Sequence, residues 1–183
     1  MQQFKLSQDL DLSPERSWEL FFAVEFNQEL NETLGMREVI VLEFSEDENE
    51  RKVTRRFVSN REVPPAIHKM TGATQLEYIT HETFNKKKKT MDWTFETPMF
   101  EDGVKGSGQI VADRMPAGRV RRTFRGLLEA DLPIIGEQVE RRLVEVLGES
   151  FEKGAVIMRR YAAQDAADRA AGRPLRELKP ITK

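Results

Sequence analysis

Hydrophobic residues recur along this chain with two different periods, and the changes of period divide it into elements. Over residues 3–12, Phe4, Leu6, Leu10 and Leu12 alternate with polar residues, which is the period of a strand. Ser13-Pro14-Glu15 then supplies a cap, a first helical residue with fixed φ, and a carboxylate at the positive end of a helix dipole. Behind it, Trp18, Phe21, Phe22, Phe26, Leu30 and Leu34 recur every three or four residues and predict an apolar helical face that stops at Gly35. This stretch reads as one helix or as two short ones broken near Asn27.

From Met36 the period is two. MREVIVLEFS places Ile40, Leu42 and Phe44 on one face, and SEDENE turns into RKVTRRFVS, with Val53 and Phe57 on one face. NREVPPAIHKMTGAT reads as a loop or short helix. QLEYITHETFN is the next strand and NKKKK a basic turn. TMDWTFETP alternates most cleanly, with Met91, Trp93 and Phe95 against Asp92, Thr94 and Glu96. FEDGV turns into VKGSGQIVA, and MPAG into RVRRTFRGLLEAD. Six consecutive strands joined by short turns predict antiparallel pairing. Leu132 to Gly136 opens a long last helix whose stripe is Ile135, Val139, Leu143, Leu147, Phe151 and Met158. Beyond Tyr161 the chain is alanine-rich and charged, without a sustained apolar face. One domain is therefore expected over residues 1–161, and a fraying helix end with a disordered tail over 162–183.

An antiparallel sheet of this size needs one face covered, and the last helix is the element long enough to cover it. The expected architecture is α+β, a curved seven-stranded antiparallel sheet wrapped around a long C-terminal helix, in the order β-α(α)-β6-α. Such a grip leaves a cavity between sheet and helix. This order, the Ser13-Pro14-Glu15-Arg16 helix start and the closing LPIIGEQVERRLVEVLGESFEKGAVIMRRY resemble the START-like, or SRPBCC, helix-grip superfamily. That superfamily includes Bet v 1-type, polyketide cyclase and lipid-transport domains. The closing segment most resembles a bacterial branch with no assigned function. It is also similar to the sterol-binding domains that accompany GRAM domains in eukaryotes. The resemblance covers residues 2–161. It implies a ligand between the sheet and the last helix, with loops at one end acting as a gate.

Composition narrows the function classes. Of 183 residues 33% are charged, yet the net charge is -2, so no global attraction to nucleic acid or anionic membrane exists. There is no cysteine, which removes disulfides, thiolate metal sites and cysteine nucleophiles together. The N-terminus lacks a signal-like apolar segment, and no stretch approaches the ~20 apolar residues of a membrane span. A soluble, cytoplasmic protein is expected, and none of these patterns encodes an oligomeric state. The two histidines, His68 and His81, fall in different elements. HExxH, P-loop and GxSxG patterns do not occur, and GVKGSG sits between strands, where its glycines read as turn and sheet-bending residues. No catalytic, cofactor-binding or metal residue is assigned.

The candidate ligand wall is Phe57, Tyr78, Met91, Trp93, Phe95, Phe124, Leu143, Leu147 and Phe151, with ordinary sheet core as the alternative for the MDWTF stripe. Arg55 lies between Val53 and Phe57, and Arg122 between Val120 and Phe124, so alternation points both guanidinium groups to the concave face. A buried guanidinium needs an anionic partner. Glu82, on the face of Tyr78 and Phe84, offers one, and the anionic head of a fatty acid or phospholipid offers another. A register slip or an edge position facing water is the third reading. The loop over residues 61–73 is expected to gate the cavity. Lys86 to Lys89 read first as a solvated hairpin tip, secondly as a transient membrane-surface contact worth about 1 kcal/mol per lysine. The expected function is binding, and transport, of a hydrophobic small molecule of lipid, sterol-like or polyketide-like chemistry. The alternatives are a polyketide cyclase or hydrolase using Arg55, Arg122, Glu82 and Tyr78 as polar groups, and a protein-interaction module with a filled core.

Overall fold

Ser13 begins the first helix as its residue type dictates: its hydroxyl accepts the Arg16 backbone N–H at 3.1 Å, with Pro14 in the first turn. In the computed structural model, which describes residues 1–100 and 103–182, the order is β1 (Gln2–Leu10), α1 (Pro14–Phe21), α2 (Val24–Thr33), β2 (Met36–Glu46), β3 (Glu50–Ser59) and α3 (Pro65–Thr71), followed by β4 (Glu77–Asn85), β5 (Thr90–Glu96), β6 (Val104–Arg114), β7 (Val120–Ala130) and α4 (Gly136–Ala170). The strands form one seven-stranded sheet in the order β1-β7-β6-β5-β4-β3-β2, with every neighbouring pair antiparallel. This is the α+β helix-grip architecture that the sequence predicts. Glu101 and Asp102, in the turn expected at FEDGV, lie outside the described residues.

Two open readings are settled and one is corrected. The first helical stretch is two helices, and the break falls at Phe22 and Ala23. Asn27 holds it, because its side-chain amide donates to the carbonyls of Phe21 and Ala23 at 2.7 and 2.9 Å. In β2, a bulge at Leu42 separates the Val41–Arg55 pair from the Glu43–Thr54 pair. One extra residue reverses the parity of the strand. Val39, Val41 and Phe44 are therefore half-buried, while Ile40 and Leu42 are exposed. The loop after β3 contains α3, closed by Gly72 at φ 72°.

Helix α4 continues nine residues past Tyr161, to Ala170. Tyr161, Ala162, Asp165 and Asp168 are buried there, and Asp165 receives the Arg16 guanidinium on both oxygens at 2.8 and 3.1 Å. The chain beyond lies against the α1–α2 junction, expected as disordered but held by backbone bonds. Val24 N–H donates to Lys179 O and Ile181 N–H to Phe22 O, each at 2.8 Å. Arg16 also donates to Arg176 O, and Leu178 packs on the core.

Helix α4 packs against β1, β7 and α2. One core cluster joins its C-terminal half to α1, α2 and the ends of β1 and β7, through Leu10, Leu20, Phe26, Val120 and Met158. The other lies on the concave face of the sheet, around Phe4, Trp18, Phe84, Met91, Trp93 and Leu128.

Candidate functional site

The concave face receives the inward side chains of the strands. On β5, Met91 and Trp93 are buried in the core, and Phe95 is half-buried. Trp93 seats its indole over Gly108 and Gly126. A Cβ on Gly108 would stand 2.7 Å from Trp93 Cζ2 and 2.0 Å from Arg125 O, so glycine is required. Phe95 lies over Gly106 in the same way and stacks on Trp93 with ring centroids 6.3 Å apart. The glycines of GVKGSG therefore bend the sheet and seat two rings. Phe124 meets Phe4 and Trp93 at 5.0 and 5.1 Å, and Phe151 of α4 at 5.7 Å. Leu143 and Leu147 pack on the same cluster and stay half-buried. Rings fill the centre of the grip, and Phe95, Phe124, Leu143, Leu147 and Phe151 form a half-buried rim.

Strands β3 and β4 carry a second group. Phe57 and Tyr78 stack face to face at 4.7 Å. Arg55 donates to Glu82 Oε1 at 2.5 Å and to Asn27 Oδ1 at 2.8 Å, so its charge is matched by the carboxylate expected from the alternation. The Tyr78 hydroxyl is pushed up to about 12 by burial, with the Arg55 charge opposing. It stays protonated at neutral pH and can donate a hydrogen bond, but it is not a base there.

Arg122 stands apart from this group. Its cross-strand neighbours are Gln8 and Ala112, whereas Arg55 aligns with Thr80, which in turn aligns with Phe95. Arg55, Glu82, Tyr78 and Arg122 all point inward, yet only the first three gather. Arg122 is 3% exposed and is covered by the rings of Phe21 and Phe151, at 5.1 and 5.8 Å from Cζ. Its Nη1 donates to Met158 Sδ at 3.0 Å, and its Nε has no acceptor. Burial pulls its pKa down to about 10. Beside it Gln8 is 6% exposed, and neither side-chain amide atom has a partner.

Sequence reasoning passes over Gln8, Arg51 and Asn27. Parity marked the first two: Gln8 occupies the inward slot between Leu6 and Leu10, and Arg51 the slot before Val53. Arg51 lies over the Phe22 ring at 4.6 Å with Glu46 at 3.6 Å. The sequence marks Asn27 only as a place near which the helix breaks, and nothing local shows that its side chain meets Arg55.

Two grooves lie away from the centre of the grip. One of about 780 Å³ crosses the outer face of the sheet at Gln3, His81, Asp92, Ser107, Gln109 and Arg125. Another of about 660 Å³ opens beside α1 at Trp18, Phe22, Arg51 and Phe84, under Leu178 and Pro180. No helix among the described residues is long and apolar enough to cross a membrane.

Comparison with known proteins places this geometry. No curated protein matches the sequence. Among solved structures, a protein of Thermus thermophilus superposes with a TM-score of 0.61 at 13% identity, covering 89% of this chain and 98% of that one. The Zhui aromatase/cyclase of a Streptomyces species gives 0.56 at 13% identity, over 94% and 99% of the two chains. A START superfamily protein of Mycobacterium smegmatis gives 0.57 at 13% identity, over 88% and 97%. At these identities the likeness is one of fold. A family profile described as a protein of unknown function, DUF2505, matches residues 5–161. The chain thus belongs to that family and is built on the START-like helix-grip fold.

Proposed function

We propose that the chain binds a hydrophobic small molecule between the concave face of its sheet and the N-terminal half of α4. One observation carries this reading. Phe95, Phe124, Leu143, Leu147 and Phe151 face one another from β5, β7 and α4 and stay half-buried, where a closed core would bury them. Helix α4 packs on β1, β7 and α2, so the concave sides of β3, β4 and β5 stand beside it as the opposing wall. Helix α3 stands in the loop expected to gate the opening. Carriage of the ligand between sites is part of the same proposal, with the docking and release steps assigned to that loop. The START superfamily and aromatase/cyclase relatives support this reading at the level of fold.

Native mass spectrometry of gently purified protein tests it. A co-purifying hydrophobic mass is expected for the wild type and is expected to disappear in Leu147→Glu, which sets a charge on the rim. A wild type with no bound mass, and with no thermal shift toward fatty alcohols, fatty acids or sterols, would overturn the reading.

A further inference from the structure

The interior holds four buried arginines among the described residues, and three of them are matched. Arg16 meets Asp165 at 2.8 Å, Arg51 meets Glu46 at 3.6 Å and Arg55 meets Glu82 at 2.5 Å. Arg122, the least exposed of the four, has no carboxylate within salt-bridge distance among the described residues. Among the described residues its compensation is aromatic and sulfur contact with Phe21, Phe151 and Met158. Cation–π contacts of this kind offset only part of the desolvation penalty of a buried ion. Chain packing alone does not account for a charge in this position.

The neighbouring strand adds a second, independent observation. Gln8 is the register partner of Arg122 on β1, and both side chains point to the interior. Directly opposite side chains of an antiparallel pair lie about 5 Å apart. The Arg122 Nε–H and the Gln8 amide are all unpaired. Buried groups of this kind are normally satisfied, so the Arg122 Nε–H and the Gln8 Nε2 amide present free donors side by side, with the Gln8 Oε1 an unpaired acceptor. A carboxylate, with two acceptor oxygens and one negative charge, matches those donors.

We infer that Arg122 and Gln8 hold the carboxylate of an amphipathic acid whose apolar chain occupies the rim of the grip. This rests on the proposed binding of a hydrophobic molecule and names its chemical class. The path is short. Arg122 is the next inward residue of β7 after Phe124, and Phe151 covers both. Phe151 is half-buried, and one turn before it a Cβ on Gly148 would meet nothing within 4 Å. That room lets the ring move aside. Arg55 is not the anion site, because Glu82 already neutralises it.

Dodecanoate and dodecanol, compared by calorimetric titration below micellar concentrations, separate the two ideas. The wild type is expected to prefer the acid by ten- to a hundredfold, the span of a charge-assisted hydrogen bond. Arg122→Met should keep dodecanol binding, lose the preference, and unfold at a higher temperature than the wild type. Gln8→Leu should lose part of the preference with Arg122 in place, and it carries the test if Arg122→Met fails to fold. Equal binding of acid and alcohol by the wild type, or an undiminished preference in both Arg122→Met and Gln8→Leu, would overturn the carboxylate assignment and leave hydrophobic binding intact. Binding of neither compound would overturn both.

Discussion

Two glycines and an isoleucine in α4 and its approach show what single residues decide. Gly148 and Gly154 each cost a helix interior about 1 kcal/mol relative to Ala. Gly154 is buried, and its would-be Cβ stands 3.7 Å from the Phe26 ring and 3.9 Å from Leu30, at ordinary van der Waals contact, so α2 packs close there but leaves room for a methyl group. Beside Gly148 the space is open. Ile134 is the opposite case. It has φ 73° and is fully exposed, although a β-branched residue in that region is strained. Its conformation follows from the tight turn into α4, where Gly136 N–H reaches Leu132 O at 3.0 Å and a Cβ on Gly136 would meet Ala130 O at 2.3 Å. Ile134→Asn tolerates positive φ and removes no burial. It is expected to stabilise the protein by about 1 kcal/mol, read as a higher thermal midpoint with the denaturant m-value unchanged. A lower midpoint would show that the Ile134 side chain has a packing role.

At the scale of elements, the sequence was most legible where one signal acted alone. TMDWTFETP alternates without interruption, and β5 carries Met91, Trp93 and Phe95 on the predicted face. The Arg55–Glu82 pair followed from parity in two neighbouring strands. Legibility ended where one residue changed the count or where the partner was remote. The bulge at Leu42 moved Ile40 and Leu42 outward, because no local pattern announces an extra residue in a strand. The polar slot of Gln8 was visible in β1, but its meaning required Arg122 opposite it. The segment after α4 has no apolar periodicity, and its order comes from backbone groups left unpaired at the α1–α2 break. Its removal has a defined consequence. Deleting residues 172–183 uncovers Leu178's contacts and leaves the N–H of Val24, the O of Phe22 and one donor of Arg51 without their partners. Hydrogen exchange is expected to quicken at Val24 and the adjoining helix ends, with a lower thermal midpoint and unchanged protection in β6 and β7. Unaltered exchange at Val24 would mean the tail adds nothing to that junction.

For the whole molecule, charge is distributed so that stability fades at both extremes of pH for different reasons. Near the surface, Asp9 is held below its ordinary range by Arg121, Asp168 by Arg173 and Gln164, and Asp47 by the backbone N–H groups of Glu50 and Asn49. A carboxyl depressed in the folded state contributes stability above its unfolded pKa of 3.8, and that contribution is lost as pH falls through the lower folded value. Asp9 and Asp47 reach solvent and are screened, and Asp168, though buried, is held by an exposed Arg173, so the acid decline is expected to be gradual and to weaken in salt. On the alkaline side two interior groups act in opposite senses: burial holds Arg122 down to about 10 against 12.5 unfolded, so its contribution to stability rises with pH where that of Tyr78 falls. Tyr78 ionises at about 12 in the fold against 10.0 unfolded, because its hydroxyl is buried beside Glu82. The folded state therefore keeps a proton that the unfolded chain releases. Its contribution is complete below pH 10.0 and is lost as pH rises toward about 12. Tyrosinate absorbance in native protein is expected to show a Tyr78 step at about 12. Tyr78→Phe should delete that step and flatten the decline of stability across the same window. Phenylalanine keeps the stack on Phe57 but has no proton to lose. If the variant loses stability above pH 10 as steeply as the wild type, the Tyr78 hydroxyl is not buried in solution, and the wall between β3 and β4 is open to water there.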